Sequence, residues 1–180
     1  ISRGDGLTGE DITANGVKFK GLPAYIETSD GPFNGAVRFE VVLTVADWKK
    51  LDPSMAKNPR NLGSGIMGRK NGQDSEYLSV FAFGISQLVD GNEVTFRTEE
   101  EKANTIQELG FDLMPNRMCK SADAAIAYYE HITETRNKLP FWIDGVVMKV
   151  NDIAHQESLG ITSHRPKGQI AWKFEAEGAE

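Results

Sequence analysis

Four charged residues lie inside segments that otherwise read as apolar strands. Glu40 sits in AVRFEVVLT, Asp144 and Lys149 in FWIDGVVMKV, and Lys173 in IAWKF. A charge in such a segment either points to solvent or is paired. For any one of them the solvent-facing reading is the ordinary one, because antiparallel sheets commonly wet one face. Four of them on three predicted strands point instead to a shared cleft. Lysines there would hold a phosphate ester, and carboxylates would bind ribose hydroxyls or a divalent metal. Phosphoryl chemistry is therefore the first expectation.

Those residues need elements to position them. AVRFEVVLT and YLSVFAFGISQLV have the β-branched and aromatic content of strands, and DGNE reads as a hairpin turn after the second. VKFKGLPAYIET has strand character broken at Pro23. Thr44 with Asp47, and Thr98 with Glu101, read as helix N-termini for VADWKKLD and EEEKANTIQEL, the latter ending at Gly110. Ser121 opens a third helix, which Pro140 closes, and FDLMPNRMC before it reads as extended. FWIDGVVMKV, the short helix NDIAHQESLG and the strand GQIAWKFEA complete the chain. Alternation puts Lys149 and Val147 on one strand face and Asp144, Val146 and Met148 on the other, provided Gly145 does not distort it. The polar, glycine-rich stretch MAKNPRNLGSGIMGRKNGQDSE reads as a long loop. Strands and helices mix without regular βαβ alternation, so the predicted class is α+β, with mixed or antiparallel sheets and flanking helices.

Composition narrows the field. The 180 residues suit one domain. Mean hydropathy is −0.39, and no apolar run approaches the ~20 residues of a membrane span. No membrane partner and no leader segment are expected. The single cysteine, Cys119, cannot form an intramolecular disulfide or a cysteine-rich zinc site, which favours a reducing, cytoplasmic setting. The net charge of −6 argues against a surface coated for nucleic acid but not against a local basic groove. His131, His155 and His164 have spacings that suit no metal site, and no metal-ligating residues are assigned. Cys119 is expected as a buried small hydrophobe, and Trp48, Trp142 and Trp172 as core, with Trp172 closest to a nucleotide pocket. Glu99, Glu100 and Glu101 suit a helix N-terminus and call for no functional role. Arg165 and Lys167 read as exposed turn residues.

The opening ISRGDG admits three readings. It could be an adhesion tripeptide, an altered K-x-D-G nucleophile, or a glycine turn presenting Arg3. The adhesion reading requires secretion, for which neither leader nor disulfides argue, and three-residue matches are common by chance. Arginine cannot replace the lysine, because a phosphoramidate needs a neutral amine. The turn reading, with Asp5 fixing it, is the one retained.

SRGDGLTGEDITAN, VRFEVVL, NPRNLGSGIMGRK, LPFWIDGVVMKVND and SHRPKGQIAWKF together resemble the adenylation (nucleotidyltransferase) domain of NAD-dependent DNA ligases. They stand in that family's order and span nearly the whole chain. Three departures stand out. Arg38-Phe39-Glu40 replaces the usual R-G-E, LGSGIMG replaces an alanine-rich run, and the step from Arg60 to Arg69 is one residue longer than the commonest pattern. The resemblance implies a nucleotidyltransferase core of ATP-grasp-like ligase type. It implies sealing of nicked double-stranded DNA, with NAD supplying AMP through an enzyme lysine to a 5′-phosphate, and Mg2+ assisting. It implies that Glu40 binds the ribose, and that Lys149 and Lys173 hold the α-phosphate as nucleotide ligands and catalytic groups. Asp144 would stand beside the reacting phosphate as a third catalytic group. Arg3 and Arg136 would serve the nucleotide, although Arg136 also suits a helix C-terminus. Arg60 and Arg69 would contact DNA. The family's K-x-D-G would precede ISRGDG, and no K-x-D-G occurs in these residues. Residues 1–180 are accordingly expected to be a partial nucleotidyltransferase domain that does not adenylate itself. No oligonucleotide-binding barrel, zinc finger, helix-hairpin-helix or BRCT domain is expected within them. The alternative is a non-catalytic ligase-like module that binds an adenine nucleotide or nicked DNA.

Overall fold

A computed structural model describes residues 1–4, 8–28, 31–51, 54, 56–162 and 165–175. Asp5 and His164 lie outside the described residues, as does the side chain of Arg165, so the turn role of Asp5 stays an expectation.

The chain opens with a small antiparallel pair, β1 (Ser2–Gly4) and β2 (Gly9–Asp11), followed by the one-turn helix α1 (Thr13–Gly16). A second small pair, β3 (Glu27–Thr28) and β4 (Gly31–Pro32), leads into β5 (Gly35–Leu43). Helices α2 (Val45–Trp48) and α3 (Pro59–Met67) carry the chain to β6 (Leu78–Val89) and β7 (Asn92–Glu93). Then come α4 (Glu99–Glu108) and α5 (Ala122–Thr135). The last elements are β8 (Gly145–Lys149), α6 (Ile153–Ser158), β9 (Ile161–Thr162), β10 (Arg165–Pro166) and β11 (Gln169–Lys173). Every strand pair between these elements is antiparallel, so the fold is α+β with antiparallel sheets. Among the described residues no helix is long and apolar enough to cross a membrane.

The β5–β6 ladder is the structural spine. Alternation sends Val37, Phe39, Val41 and Leu43 to one face, across from Ile85, Ala82, Val80 and Leu78. That face carries two adjoining cores. Leu62 and Ile66 of α3 close one, with Ile12 and Phe19. Ile106 of α4, Phe96 and Phe111 close the other. The opposite face presents Arg38, Glu40 and Val42 across from Gly84, Phe81 and Ser79. The register shifts between Arg38 and Phe39, which leaves Phe83 as an extra residue on β6. Such a bulge restores the inward alternation at Ile85 and releases one peptide group from the ladder. The β6–β7 turn holds Asp90 at φ 50° and Gly91 at φ 78°, the left-handed pair that a tight two-residue hairpin requires.

Three sequence expectations are corrected. VKFKGLPAYIET forms only the two-residue β3 at its end and an isolated bridge between Lys20 and Ser79, because Gly21 and Pro23 interrupt any ladder. The stretch after Met55 is not a simple loop, since it contains α3. Asn58 caps that helix by accepting from the Asn61 amide, Pro59 stands in its first turn, and Leu62 and Ile66 give it a buried stripe. Gly63 sits where the helix presses on β5, and a Cβ there would crowd the Leu43 Cβ at 3.3 Å. The buried Asn15 amide then ties the helix end down, donating to the Arg69 carbonyl at 2.8 Å and the Ser75 hydroxyl at 3.2 Å. Finally, Trp142 is 57% exposed and Trp172 37% exposed, so neither is a core residue; Trp48 is partly buried, its ring edge-on to Trp142.

The N-cap readings of Thr44, Thr98 and Ser121 agree with the structure, each hydroxyl accepting the amide three residues on. Asp47 does more than sit near a cap. Its buried carboxylate accepts from Lys20 at 2.7 Å, Lys50 at 2.8 Å and the Thr44 hydroxyl at 3.0 Å. Burial alone would raise its pKa, but those hydrogen bonds outweigh it and hold the value down to about 2. The folded value lies below the unfolded one, so the ionised group stabilises the fold above about pH 4 and that contribution is lost between about pH 4 and pH 2. Both lysines are largely solvated, which limits the effect to on the order of 1–2 kcal/mol. Asp47→Asn should therefore melt below the parent protein near neutrality, with the gap narrowing on acidification. Thermal melts across that range check this, and a gap independent of pH would refute it.

Candidate active site

Two clusters of charge flank one short hairpin. β8 and β11 pair so that Lys149 lies opposite Gln169, Val147 opposite Ala171, and Gly145 opposite Lys173. These six residues share one face, while Val146, Met148, Ile170 and Trp172 share the other. Gly145 is required by the pairing itself, since a Cβ there would stand 2.5 Å from the Trp172 carbonyl oxygen. Lys149 and Lys173 thus project from the same face at opposite ends, about 13 Å apart along the strands.

At the Lys173 end stands Asp144. The residue precedes β8 rather than continuing it, so strand alternation does not govern its direction. One carboxylate oxygen lies 3.4 Å from the Arg60 guanidinium and 3.7 Å from the Lys173 ammonium. Arg60 comes from the first turn of α3, the helix hidden in the glycine-rich stretch. All three side chains are more than half exposed. Such contacts contribute little to stability, and both cations remain within reach of an incoming anion.

Lys149 is more enclosed. Its ammonium donates to the Glu99 carboxylate at 3.0 Å and to the Phe83 carbonyl at 3.3 Å. The second acceptor is the residue that the β6 bulge sets free of the ladder. Glu99 opens α4, and its other oxygen accepts from the Gln156 amide at 3.0 Å and lies 3.6 Å from Lys102. Burial would raise the Glu99 carboxyl, yet Lys149 above all, with Gln156 and Lys102, holds it below the ordinary carboxylate range. The α4 start and the loop after β8 are themselves joined: the Glu99 amide donates to Asn151 O at 2.9 Å, and Ile153 N to Arg97 O at 3.0 Å.

Glu40 is exposed on the polar face of the spine, opposite Phe81, whose ring packs 5.1 Å from Phe141 just ahead of β8. Arg38 runs over the bare backbone of Gly84 on that same face. Arg136 follows α5 directly, with its guanidinium 5.0 Å from the Phe174 ring, next in sequence to Lys173. Tyr129 of α5 stacks on Trp172 at 4.1 Å and donates its hydroxyl to Lys173 O at 3.1 Å. Trp172 therefore braces the hairpin from behind, on the face opposite Lys173. Arg3 is exposed on β1, opposite Glu10. Arg69 is bound to the Asp74 carboxylate and donates to the Gln73 carbonyl, at the far end of α3 from Arg60. Cys119 is half-buried against the Arg117 and Ala124 carbonyls, and His131 and His155 are exposed.

The structure thus joins Arg60, Asp144 and Lys173 in one cluster and adds Glu99, Gln156 and the Phe83 carbonyl around Lys149. The last three were not singled out as site residues in the sequence. The DGNE turn and the length of the second strand were visible there, but the bulge was not. Glu99 looked like an ordinary first-turn acid because its partner is 50 residues away.

Comparison with known proteins supports the motif reading. The NAD-dependent DNA ligase adenylation domain family matches residues 1–177. A DNA ligase of Treponema denticola is 37% identical over 189 aligned positions, covering 99% of this chain. The chain spans 29% of that relative's length. With nearly every residue matched and the charged hairpin in place, the chain belongs to the NAD-dependent DNA ligase adenylation domain family.

Proposed function

We propose that these residues form the nucleotide-holding part of a nucleotidyltransferase core of ATP-grasp-like ligase type, working within a longer ligase that seals nicked double-stranded DNA with NAD. The observation that carries this reading is the shared face of Lys149 and Lys173, with Asp144 bridging Lys173 and Arg60 at its open end. Two cations on one rigid hairpin can grip an α-phosphate and stabilise the charge that shifts during transfer. The transfer forms a bond from a lysine nitrogen to phosphorus and breaks the phosphorus–oxygen bond to nicotinamide mononucleotide. That lysine belongs to a K-x-D-G, which these 180 residues do not contain.

The roles proposed are those the family motifs imply. Glu40, exposed on the sheet face, accepts ribose hydroxyls. Asp144 orients Lys173 and Arg60, the two cations its carboxylate meets. Arg136, held against Phe174, which stacks on Tyr129 as Trp172 does, serves the nucleotide from the Lys173 end of the hairpin, and Arg3 lies ready on β1. Arg60, at the open end, meets DNA phosphates. Arg69 can do so only after leaving Asp74. Mg2+ fits the chain's own donors poorly. Asp144 is flanked by two cations, and among the described residues no group of three His, Cys, Asp or Glu could hold a metal ion. No step is assigned to it. Within residues 1–180 we assign this domain alone.

The test joins the chain to an upstream segment bearing K-x-D-G, incubates it with NAD and magnesium, and weighs the denatured protein. A covalent AMP that disappears on changing the K-x-D-G lysine is expected. A protein that stays unmodified would overturn the ligase reading and favour a module that only binds.

A further inference from the structure

Lys149, which the proposed function needs free to meet a phosphate, is already bound. The ammonium is shared between Glu99 Oε2 at 3.0 Å and Phe83 O at 3.3 Å. The Glu99 side chain is 20% exposed and that of Lys149 29%, so the pair is partly shielded from solvent. Such an ion pair is not easily ignored by a ligand, because a phosphate has to outcompete a carboxylate for the same ammonium. The two oxygens of Glu99 also divide their work. Oε2 takes Lys149, whereas Oε1 takes the Gln156 amide and lies near Lys102. Gln156 is itself anchored, donating to the Val150 carbonyl at 2.6 Å.

From this geometry we propose that Glu99 is a positioning residue that parks Lys149, and that a nucleotide phosphate competes with Glu99 for that ammonium and takes its place as partner. The exchange leaves no stranded charge. When the ammonium turns to the phosphate, Glu99 keeps Gln156 and Lys102, so its burial remains compensated. The Phe83 carbonyl is the softer of the two holds on Lys149, a neutral acceptor at the longer distance, and it lies on the sheet whose polar face carries Glu40. The hold of Glu99 keeps Lys149 aimed, and sets the affinity for phosphate below what two unopposed lysines would give. This inference rests on the nucleotide-site reading above.

The proposal makes a prediction that separates parking from mere support. Removing the Glu99 charge should strengthen binding of ligands that carry the phosphate and leave those without it alone. Calorimetric titration of the 180-residue chain with AMP and with adenosine is the measurement. Glu99→Gln preserves size and helix-start geometry, and should bind AMP roughly five-fold more tightly, the scale of a partly exposed ion pair. Adenosine affinity should be unchanged. In a Lys149→Met background the gain from Glu99→Gln should vanish. If Glu99→Gln does not fold, Glu99→Asp shortens the reach to Lys149, keeps the charge at the helix start, and should show the same preference for AMP over adenosine. AMP affinity that is unchanged or weakened in a folded variant would overturn the parking role while leaving the nucleotide site intact. Equal gains for AMP and adenosine would also overturn it, because the effect would then not act through Lys149. Failure of both AMP and adenosine to bind any form would remove the nucleotide site itself, and the parking role with it.

Discussion

Replacing Lys149 with alanine, in a chain extended to include the K-x-D-G lysine, should slow self-adenylation roughly 10²–10³-fold, the usual cost of removing one fixed donor to transition-state charge. The fold should hardly notice. Lys149 lies at the end of a two-stranded hairpin whose ladder is made by backbone groups. Its loss leaves Glu99 with Gln156 and Lys102. Lys149→Arg should not restore the rate fully, because a planar guanidinium is larger and its donors are fixed in a fork. Mass spectrometry of quenched time points gives the rate, and circular dichroism checks the fold. An unchanged rate would remove Lys149 from the mechanism.

The largest stability effect should come from the helix that the sequence disguises. Ile66 is fully buried, packed with Leu43, Leu62, Leu78 and Val80 between α3 and the spine. Ile66→Ala should cost about 2–5 kcal/mol, and Ile66→Val only about 1 kcal/mol, as expected when a cavity adds to lost burial. Against a typical stability of roughly 5–15 kcal/mol, the alanine variant could lose a large share of the total. The consequence should reach the site, because α3 carries Arg60 toward Asp144 at its other end. Urea unfolding of the two variants measures the difference. Equal midpoints for alanine and parent would show that α3 does not pack as described.

What was legible in the sequence depended on how local its cause was. β5 and β6 announce themselves through alternation, and Thr44, Thr98 and Ser121 bond to amides only three residues on. The charged residues of the hairpin were visible as well, because lysine and aspartate stand out among valines. α3 was not, because its glycines mimic a loop. The reason for Gly63 is a contact with Leu43 on another element, and no window of sequence contains it. Strand alternation alone put Asp144 on the face away from Lys149, yet β8 begins one residue later and Asp144 meets Lys173. The apolar neighbours of Trp142 and Trp172 suggest core positions, but the two-stranded hairpin has too little cover to bury Trp172, and Trp142, ahead of β8, is exposed as well. Glu99 shows the limit most plainly. Its helix-start role was readable from its position, while its bond to Lys149 exists only because α4 and the end of β8 are joined in space.

The central claim, that this hairpin face receives a nucleotide phosphate, is tested most directly by a crystal structure of the chain with AMP. The phosphate should lie within hydrogen-bonding distance of Lys149 and Lys173, with the ribose hydroxyls at Glu40. AMP ordered elsewhere, with both lysines still on Glu99 and Asp144, would contradict it.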